Sequence, residues 1–578
     1  MKKVTVVAAV GAVCTLLGDP AFGQWTVTHL ESAYGGGGLR GQSATEQVGY
    51  VSGHARIWRG APTPFVTLTP AGASASYANG ISGDCQVGEV VLDNQVRASL
   101  WRGTAESWVN LHPSGFGRSS AAGAFADRQV GTAFFQTASA FMWHGTAQSA
   151  VNLNPPGASE SYATGIWGDT QVGYYRRIGN QSSRACLWYG TPESVVDLHP
   201  VDARESGVNG VSEFYQVGFA GYGGGGVAGR WSGTTASWVV LHPSAATSSQ
   251  AVGAFGGQQV GWAQVGSRYR ASLWLGTADS WVDLSVFLPS HHSSSPSYAT
   301  SVWSNGSTTR VTGSVWSSNG TADLYLWELN CPDPLAITSQ PASAAACPSS
   351  MTLFSVEATG TGPLHYQWQI QPDGGRWSDL TTTAVTMPCG GTAMASTPQA
   401  SQTTVSVDPC QGVRSYRVRC LVTGPCGTVV SEAADLQMLT LWIAAQPVAT
   451  SVGVDVPVSF LVQAGAGADC GRPLTYQWQR RDPAVLDPEA PNAWMDLQEG
   501  PQFVNVRSPG LMIARPTLSI ATGYRCRIGG GCDCSPESGF IYSDEVNFGI
   551  SCPADFNADG GVDFTDVEAF FERWENGC

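Results

Sequence analysis

Near the C-terminus, Asp555, Asn557, Asp559, Asp563 and Asp566 place side-chain oxygens at positions 1, 3, 5, 9 and 12 of one short stretch. Gly560 takes position 6, and the Gly561 carbonyl falls at position 7. A glycine at position 6 permits the sharp turn of a cation-wrapping loop, and a hard ion such as Ca2+ asks for six to eight oxygens at about 2.3–2.6 Å. The expected metal set is therefore Asp555, Asn557, Asp559, Gly561, Asp563 and Asp566, with Ca2+ as the cofactor. Behind the loop, Val567, Phe570, Phe571 and Trp574 fall on one face of a short helix. Residues 551–578 are too few to bury a core of their own, so the flanking Cys552 and Cys578 are expected to bridge and close the module. The apolar face then has two open uses: docking onto a partner, or folding against the preceding domain.

Nothing else in the chain presents a set of comparable specificity, and no catalytic residue is assigned. His112, His199 and His242 share a Leu-His-Pro position, and Asp84, Asp127 and Asp169 precede Gln-Val-Gly or its variant. All six recur with a repeat and read as turn residues. Gly35–Gly38 and Gly223–Gly226 lack the Gly-Lys-Ser/Thr that a phosphate loop requires. Beyond Lys2 and Lys3 every Lys or Arg position is Arg, which excludes Schiff-base and lysine general-base chemistry. Glycoside hydrolysis would need two carboxylates about 5–9.5 Å apart; Glu46, Glu89, Glu205 and Glu213 are the acids outside the repeat consensus. Trp167, Trp262 and the run Tyr174-Tyr175-Arg176-Arg177 also stand outside it, and aromatics with Arg can stack on sugar rings or pair with carboxylates.

The ends of the chain give an address. Lys2 and Lys3, an apolar run from Val4 to Leu17 and small residues before Gln24 read as a secretory signal over residues 1–23. The apolar run is too short to span a bilayer, so no transmembrane segment is expected in the mature chain. Loss of Cys14 leaves an even number of cysteines, twelve of them between Cys331 and Cys578, and an exported chain of this kind is expected to form disulfides. Cys389 and Cys410 bracket a Thr/Ser-rich insertion and are expected to pair. A net charge of −15 argues against a nucleic-acid partner.

Between these ends a period dominates. Gln-Val-Gly begins at Gln47, Gln86, Gln129, Gln171, Gln216 and Gln259, with a degenerate copy at Arg310-Val311-Thr312-Gly313. Trp58, Trp101, Trp143, Trp188, Trp231, Trp274 and Trp327 follow in step, the first six spaced 42 to 45 residues apart. Each period divides into four short β-prone runs, the pattern of a propeller blade. The seventh unit lacks its last strand, and Trp25–Leu30 can supply it from the other end. The fold expected for residues 24–330 is a seven-bladed β-propeller closed by that strand. The Gly-Asp-x-Gln-Val-Gly and Arg-Ala-x-Leu-Trp motifs resemble the extracellular HAF-type repeats, a likeness that implies a scaffold and no defined reaction.

After residue 330 a different pattern occurs twice. Tyr366-Gln367-Trp368-Gln369 is echoed by Tyr476-Gln477-Trp478-Gln479, and the Cys420/Cys426 spacing by Cys526/Cys532. The Trp strand, followed about 50 residues on by a Cys-bearing strand, resembles a pair of immunoglobulin-like sandwiches, placed at 331–440 and 441–550. Tyr524 has the tyrosine-corner spacing; the first copy has Val418 there and Tyr416 two residues earlier. Val356 and Val462 stand where the usual inter-sheet bridge would need a cysteine. The Asp555–Asp566 loop resembles those of dockerins, in the single-loop form with a Gly577-Cys578 end, and this likeness implies docking to a surface partner. The whole chain is thus expected to be a mainly β, secreted, non-catalytic binding or adhesion protein. Its partner would be a surface protein or an extracellular polysaccharide, with a polysaccharide-active glycosidase or lyase as the rival.

Overall fold

The computed structural model describes residues 4–5, 24–59, 65–317, 319–387, 389–410, 413, 415–439, 441–453, 456–466, 473–485, 487, 492–530, 540–551, 557 and 563–576. The architecture is mainly β, with one α-helix at Phe564–Glu575 among the described residues. No helix in them is long and apolar enough to cross a membrane. The expected leader, including its expected cleavage after Gly23, lies outside the described residues apart from Val4 and Thr5, which pair with Val27 and Thr26.

Each of the first six sequence periods folds into one antiparallel sheet of four consecutive strands. In the fourth copy these are Ala158–Trp167, Thr170–Arg177, Arg184–Trp188 and the two-residue Val196–Asp197. The seventh sheet takes Ser297–Ser304, Thr308–Trp316 and Ala322–Asn330 from its own period, and Gln24–Ala33 from the start of the chain. Val27 stands directly opposite Trp327 in that pairing. The N-terminal strand covers an edge of the last unit that would otherwise offer unpaired backbone groups.

The two repeated motifs face one another across this ladder. Gln86 pairs with Trp101, Gln171 with Trp188, and Gln259 with Trp274. The Gln side chain ties the turn before its strand to the turn after the Trp strand: Gln171 Nε2 donates to the Asp169 carbonyl at 2.9 Å, and its Oε1 accepts from Gly190 N at 2.7 Å. The glycine of Gln-Val-Gly is forced by close packing, because a Cβ at Gly88 or Gly173 would lie 1.9 Å from the carbonyl oxygen of Tyr77 or Tyr162. Beside it the first strand carries a bulge in every unit, between Ala78 and Gly80 in the second and Ala163 and Gly165 in the fourth. Those bulge glycines bring successive sheets together. A Cβ on Gly80 would meet the Ala122 carbonyl at 2.9 Å, one on Gly210 the Val252 carbonyl at 2.7 Å, and one on Gly253 the Thr300 carbonyl at 2.8 Å. The seventh sheet meets the first, where Gln42 Nε2 donates to the Arg310 carbonyl at 2.9 Å and Arg310 Nη1 to the Ala44 carbonyl at 2.6 Å. The contacts therefore run through all seven sheets and return to the start.

Two immunoglobulin-like sandwiches follow. In the first, a sheet built on Ser415–Gly424 and His365–Pro372 faces one built on Thr352–Ser355, Gln402–Asp408, Thr392–Ala395 and Val385–Thr386. The second repeats this with Leu474–Arg481 and Tyr524–Gly530 against Val458–Leu461 and Gly510–Ile513. Trp368 and Trp478 are fully buried at the centres, opposite Cys420 and Cys526 in register. Both cysteines are free, and Val356 and Val462 are buried in the same cores. The tyrosine corner is present in both. Tyr524 donates to the Ile520 carbonyl at 2.7 Å, and the displaced Tyr416 accepts from Cys410 N at 2.8 Å.

Cys389 pairs with Cys410 as expected, and Cys331 with Cys426, a bridge the sequence did not assign. The expectation of general cysteine pairing needs correction: Cys85 and Cys186 are free and buried, like Cys420 and Cys526. Burial pushes the Cys85 thiol up to about 11 and Cys420 to about 12, so these thiols are packing groups rather than nucleophiles. The first sandwich also packs onto the fourth to seventh sheets. Arg376 lies 3.7 Å from the Tyr189 ring centroid, Arg230 pairs with Asp379 at 2.8 Å with both groups buried, and Gly257 N donates to Thr428 Oγ1 at 2.7 Å.

Candidate functional site

In the C-terminal loop, Asp555, Asp559 and Gly561 lie outside the described residues, as does the expected Cys552–Cys578 bridge. Asn557, Asp563 and Asp566 are described and lie together. Asp566 is buried; its Oδ2 accepts from Asp563 N at 2.7 Å and its Oδ1 from Asn557 N at 3.2 Å. Asp563 caps the helix by accepting from Thr565 N at 2.8 Å, and the Thr565 hydroxyl also donates to it at 2.6 Å. Those bonds from Thr565 hold the Asp563 carboxyl below the usual carboxylate range. Hydrogen bonds thus join loop positions 3, 9 and 12 at the start of the helix. The donor chemistry, carboxylates with an amide oxygen, suits a hard cation. Among the described residues no three His, Cys, Asp or Glu side chains cluster at metal-binding distance.

Most of the apolar face expected on the helix is exposed. Phe564 is 74% exposed, Phe571 57% and Trp574 55%, with Val567 exposed beside them. Phe570 is half-buried, its ring 5.5 Å from that of Trp574.

The repeated histidines are tied into the scaffold. Nε2 of His112, His199 and His242 lies 2.9 Å from the carbonyls of Phe116, Ala203 and Ala246. A carbonyl can only accept, so Nε2 carries the proton and Nδ1 accepts from Ser119, Ser206 or Ser249 at 2.6–2.7 Å. Each serine oxygen in turn accepts the backbone N–H of Ala98, Ala185 or Ala228. Burial lowers the pKa of His112 and His199 and favours the neutral ring. The Asp84, Asp127 and Asp169 carbonyls receive the Gln side chains, in keeping with turn duty.

The first strands of all seven sheets surround one cavity of about 800 Å³. Four half-buried aromatic rings line it in a chain: Phe125 to Trp167 at 5.0 Å, Trp167 to Phe255 at 6.1 Å, and Phe255 to Trp303 at 6.4 Å between centroids. All four sit two residues after the bulge position of their strand, the rule that would have found Phe125, Phe255 and Trp303 alongside Trp167. Asn79 and Asn209 also line the wall, each donating to the next sheet's carbonyl, Ala121 at 3.0 Å and Ala251 at 2.8 Å.

The remaining candidates are dispersed. Tyr174 stacks on Tyr162 at 4.7 Å and Arg176 is ion-paired with Glu160, whereas Tyr175, Arg177 and Arg184 converge on Asp197. Trp262 meets Tyr269 edge-on at 5.0 Å. Glu46 is paired with Arg59 at 2.7 Å, Glu89 stands opposite Tyr77, and none of Glu46, Glu89, Glu205 and Glu213 lines the cavity.

No protein-family model matches the chain, and no curated protein matches it. Among solved structures it is similar to a three-Ig fragment of titin, with 14% identity, 38% of this chain and 67% of that chain covered, and a TM-score of 0.22. The tandem Ig repeats of Dlar match at 15% identity over 38% of this chain and 100% of that chain, with a TM-score of 0.14. The four N-terminal Ig domains of Dscam1 match at 12% over 38% and 52%, with a TM-score of 0.19.

Proposed function

We propose that the chain is a secreted, non-catalytic binding or adhesion protein of the extracellular surface. In this reading residues 24–330 form a seven-bladed β-propeller of HAF-type repeats that presents the recognition surface. Residues 331–440 and 441–550 are immunoglobulin-like domains, and residues 551–578 a dockerin-like tail ordered by Ca2+ and used for attachment. The observation that carries it is the seven-sheet cavity, whose wall offers aromatic rings and amides and includes no carboxylate. A surface of that composition suits binding rather than acid–base chemistry. The exposed Phe571 and Trp574 support an attachment role for the tail, since large apolar side chains left bare on a short helix mark a contact face.

The test uses the mature chain on an array of glycans and surface proteins, with and without Ca2+. Retention of a saccharide or surface protein is expected, together with protection of the tail from proteolysis by Ca2+ that Asp555→Ala with Asp559→Ala abolishes. An array with no retained ligand overturns the recognition role, and a tail equally resistant under chelation overturns the metal role.

A further inference from the structure

The cavity holds one charged side chain, Arg40. Its strand, Gly37–Gln42, belongs to the first sheet, and Arg40 stands one residue before the bulge glycine Gly41, the register of Asn79 and Asn209 in their sheets. The corresponding residues elsewhere are Ala122, Thr164, Val252 and Thr300, so a single cation projects from an otherwise uncharged ring of positions. Arg40 is exposed within this wall. Among the described residues its contact is with the Tyr50 ring, 5.8 Å from the guanidinium carbon, and no carboxylate pairs with it. Several other arginines of the sheets are paired with acids, Arg56 with Glu31, Arg176 with Glu160, Arg270 with Asp283 and Arg310 with Glu328, and those that are not, such as Arg118 and Arg268, lie outside the cavity. In a chain of net charge −15, an acid-free cavity with one unmatched guanidinium is a local reversal of the protein's field.

The aromatic chain stands three residues farther along the strands than Arg40, about 10 Å at the usual rise. One cation and a row of ring faces at that separation suit a ligand that carries an anion at one point and apolar ring faces beside it. We propose that this cavity binds an acidic saccharide, its carboxylate or sulfate paired with Arg40 and a neighbouring sugar face against Trp167 or Trp303. The inference rests on the recognition reading above and names the ligand class of that surface.

The test is calorimetric titration of the mature chain with three probes: an oligogalacturonate tetramer, its fully methyl-esterified neutral form, and a heparin-derived sulfated tetrasaccharide. At least one acidic probe is expected to bind more tightly than the neutral ester, and comparison of the two acids separates carboxylate from sulfate. Arg40→Gln should weaken the acidic probe about 10- to 100-fold, the range of a lost charge-assisted hydrogen bond, while leaving the ester unchanged and the melting temperature intact. Arg40→Lys should recover part of the loss. Trp167→Ala should weaken both forms about three- to tenfold; if that variant does not fold, Trp303→Phe and the Arg40 pair carry the test. Equal affinity for acid and ester, no binding of either acid, or an Arg40→Gln variant indistinguishable from wild type overturns the proposal. If these fail while the array retains another ligand, the acidic-saccharide assignment falls alone; if the array is also blank, the recognition reading falls with it.

Discussion

Arg230 and Asp379 join the fifth sheet to the first sandwich, and their separation from solvent makes them the most informative place to perturb the structure. Arg230 is 2% and Asp379 6% exposed, with Nη1 2.8 Å from Oδ2. Arg230 also donates through Nε to the Gly276 carbonyl at 3.0 Å and lies 4.1 Å over the buried Tyr215 ring. The other Asp379 oxygen accepts from Gln369 at 2.8 Å. Asp379→Ala strands a desolvated guanidinium, which costs about 3–5 kcal/mol. If the seven sheets and first sandwich unfold together, roughly 400 residues at about 2.1 cal/mol/K each give an unfolding entropy near 0.8 kcal/mol/K. The midpoint should then fall by about 4–6 °C. Arg230→Met with Asp379→Leu removes both charges and should recover most of that loss. Scanning calorimetry of both variants, of Arg230→Met alone and of Asp379→Leu alone completes the cycle. A fall below about 1 °C for Asp379→Ala, or a double variant no more stable than the single, would refute the view that the interface is dry and cooperative.

Other expectations concern the scaffold. Gly88→Ala should unfold or severely destabilise the chain, by more than about 3 kcal/mol, because the new Cβ meets the Tyr77 carbonyl at 1.9 Å. Gly224→Ala, where nothing lies within 4 Å, should melt within about 0.5 kcal/mol of wild type in the same assay. Burial lowers the pKa of His112 and His199 in the folded state, so the unfolded chain binds protons more readily; their contribution is present above about pH 6.5 and is lost as pH falls below that value through the lower folded-state pKa. Melts from pH 8 to 5 should show that decline, and His112→Gln with His199→Gln should flatten it; an unchanged slope contradicts the assignment. Replacing Cys331 and Cys426 by Ser opens a closure of 95 residues and should cost about 2–5 kcal/mol in chemical denaturation. A loss under about 0.5 kcal/mol would mean that the sandwich is held without the bridge.

The local grammar of the repeat was legible because it is short-range. Gln-Val-Gly, the turn before it and the Trp opposite it lie within one period, and each is demanded by backbone contacts inside one sheet. The pairing of Val27 with Trp327 was also within reach, since a unit short of one strand and a strand without a unit imply each other. The sandwich cores were readable from Trp368 and Trp478 for the same reason. What stayed hidden is the packing between units. Arg230 finds Asp379 across 149 residues, and Cys331 finds Cys426 across 95; neither partner carries a local pattern that announces the other. Arg40 was equally silent, because its meaning comes from what the six corresponding positions lack. In the tail, the helix behind the loop was legible from the spacing of Val567, Phe570, Phe571 and Trp574, whereas its capping by Asp563 was not, and Asp555, Asp559 and Gly561 remain expectations from the sequence.

The strand at Gln24–Ala33 is synthesised some three hundred residues before the one it pairs with, Ala322–Asn330. Until that late segment emerges, six units can fold locally while the earliest strand waits with its hydrogen-bonding edge open. During that interval a second nascent copy can offer the same complementary edge. Exchange of this strand between two chains would preserve its pairing with Ala322–Asn330 and alter only the short connection after it, so the dimer it creates would differ from the monomer chiefly in molecular mass. Slow synthesis or crowding should favour it, and tethering the strand to Trp327 by a short linker in a circularly permuted chain should suppress it.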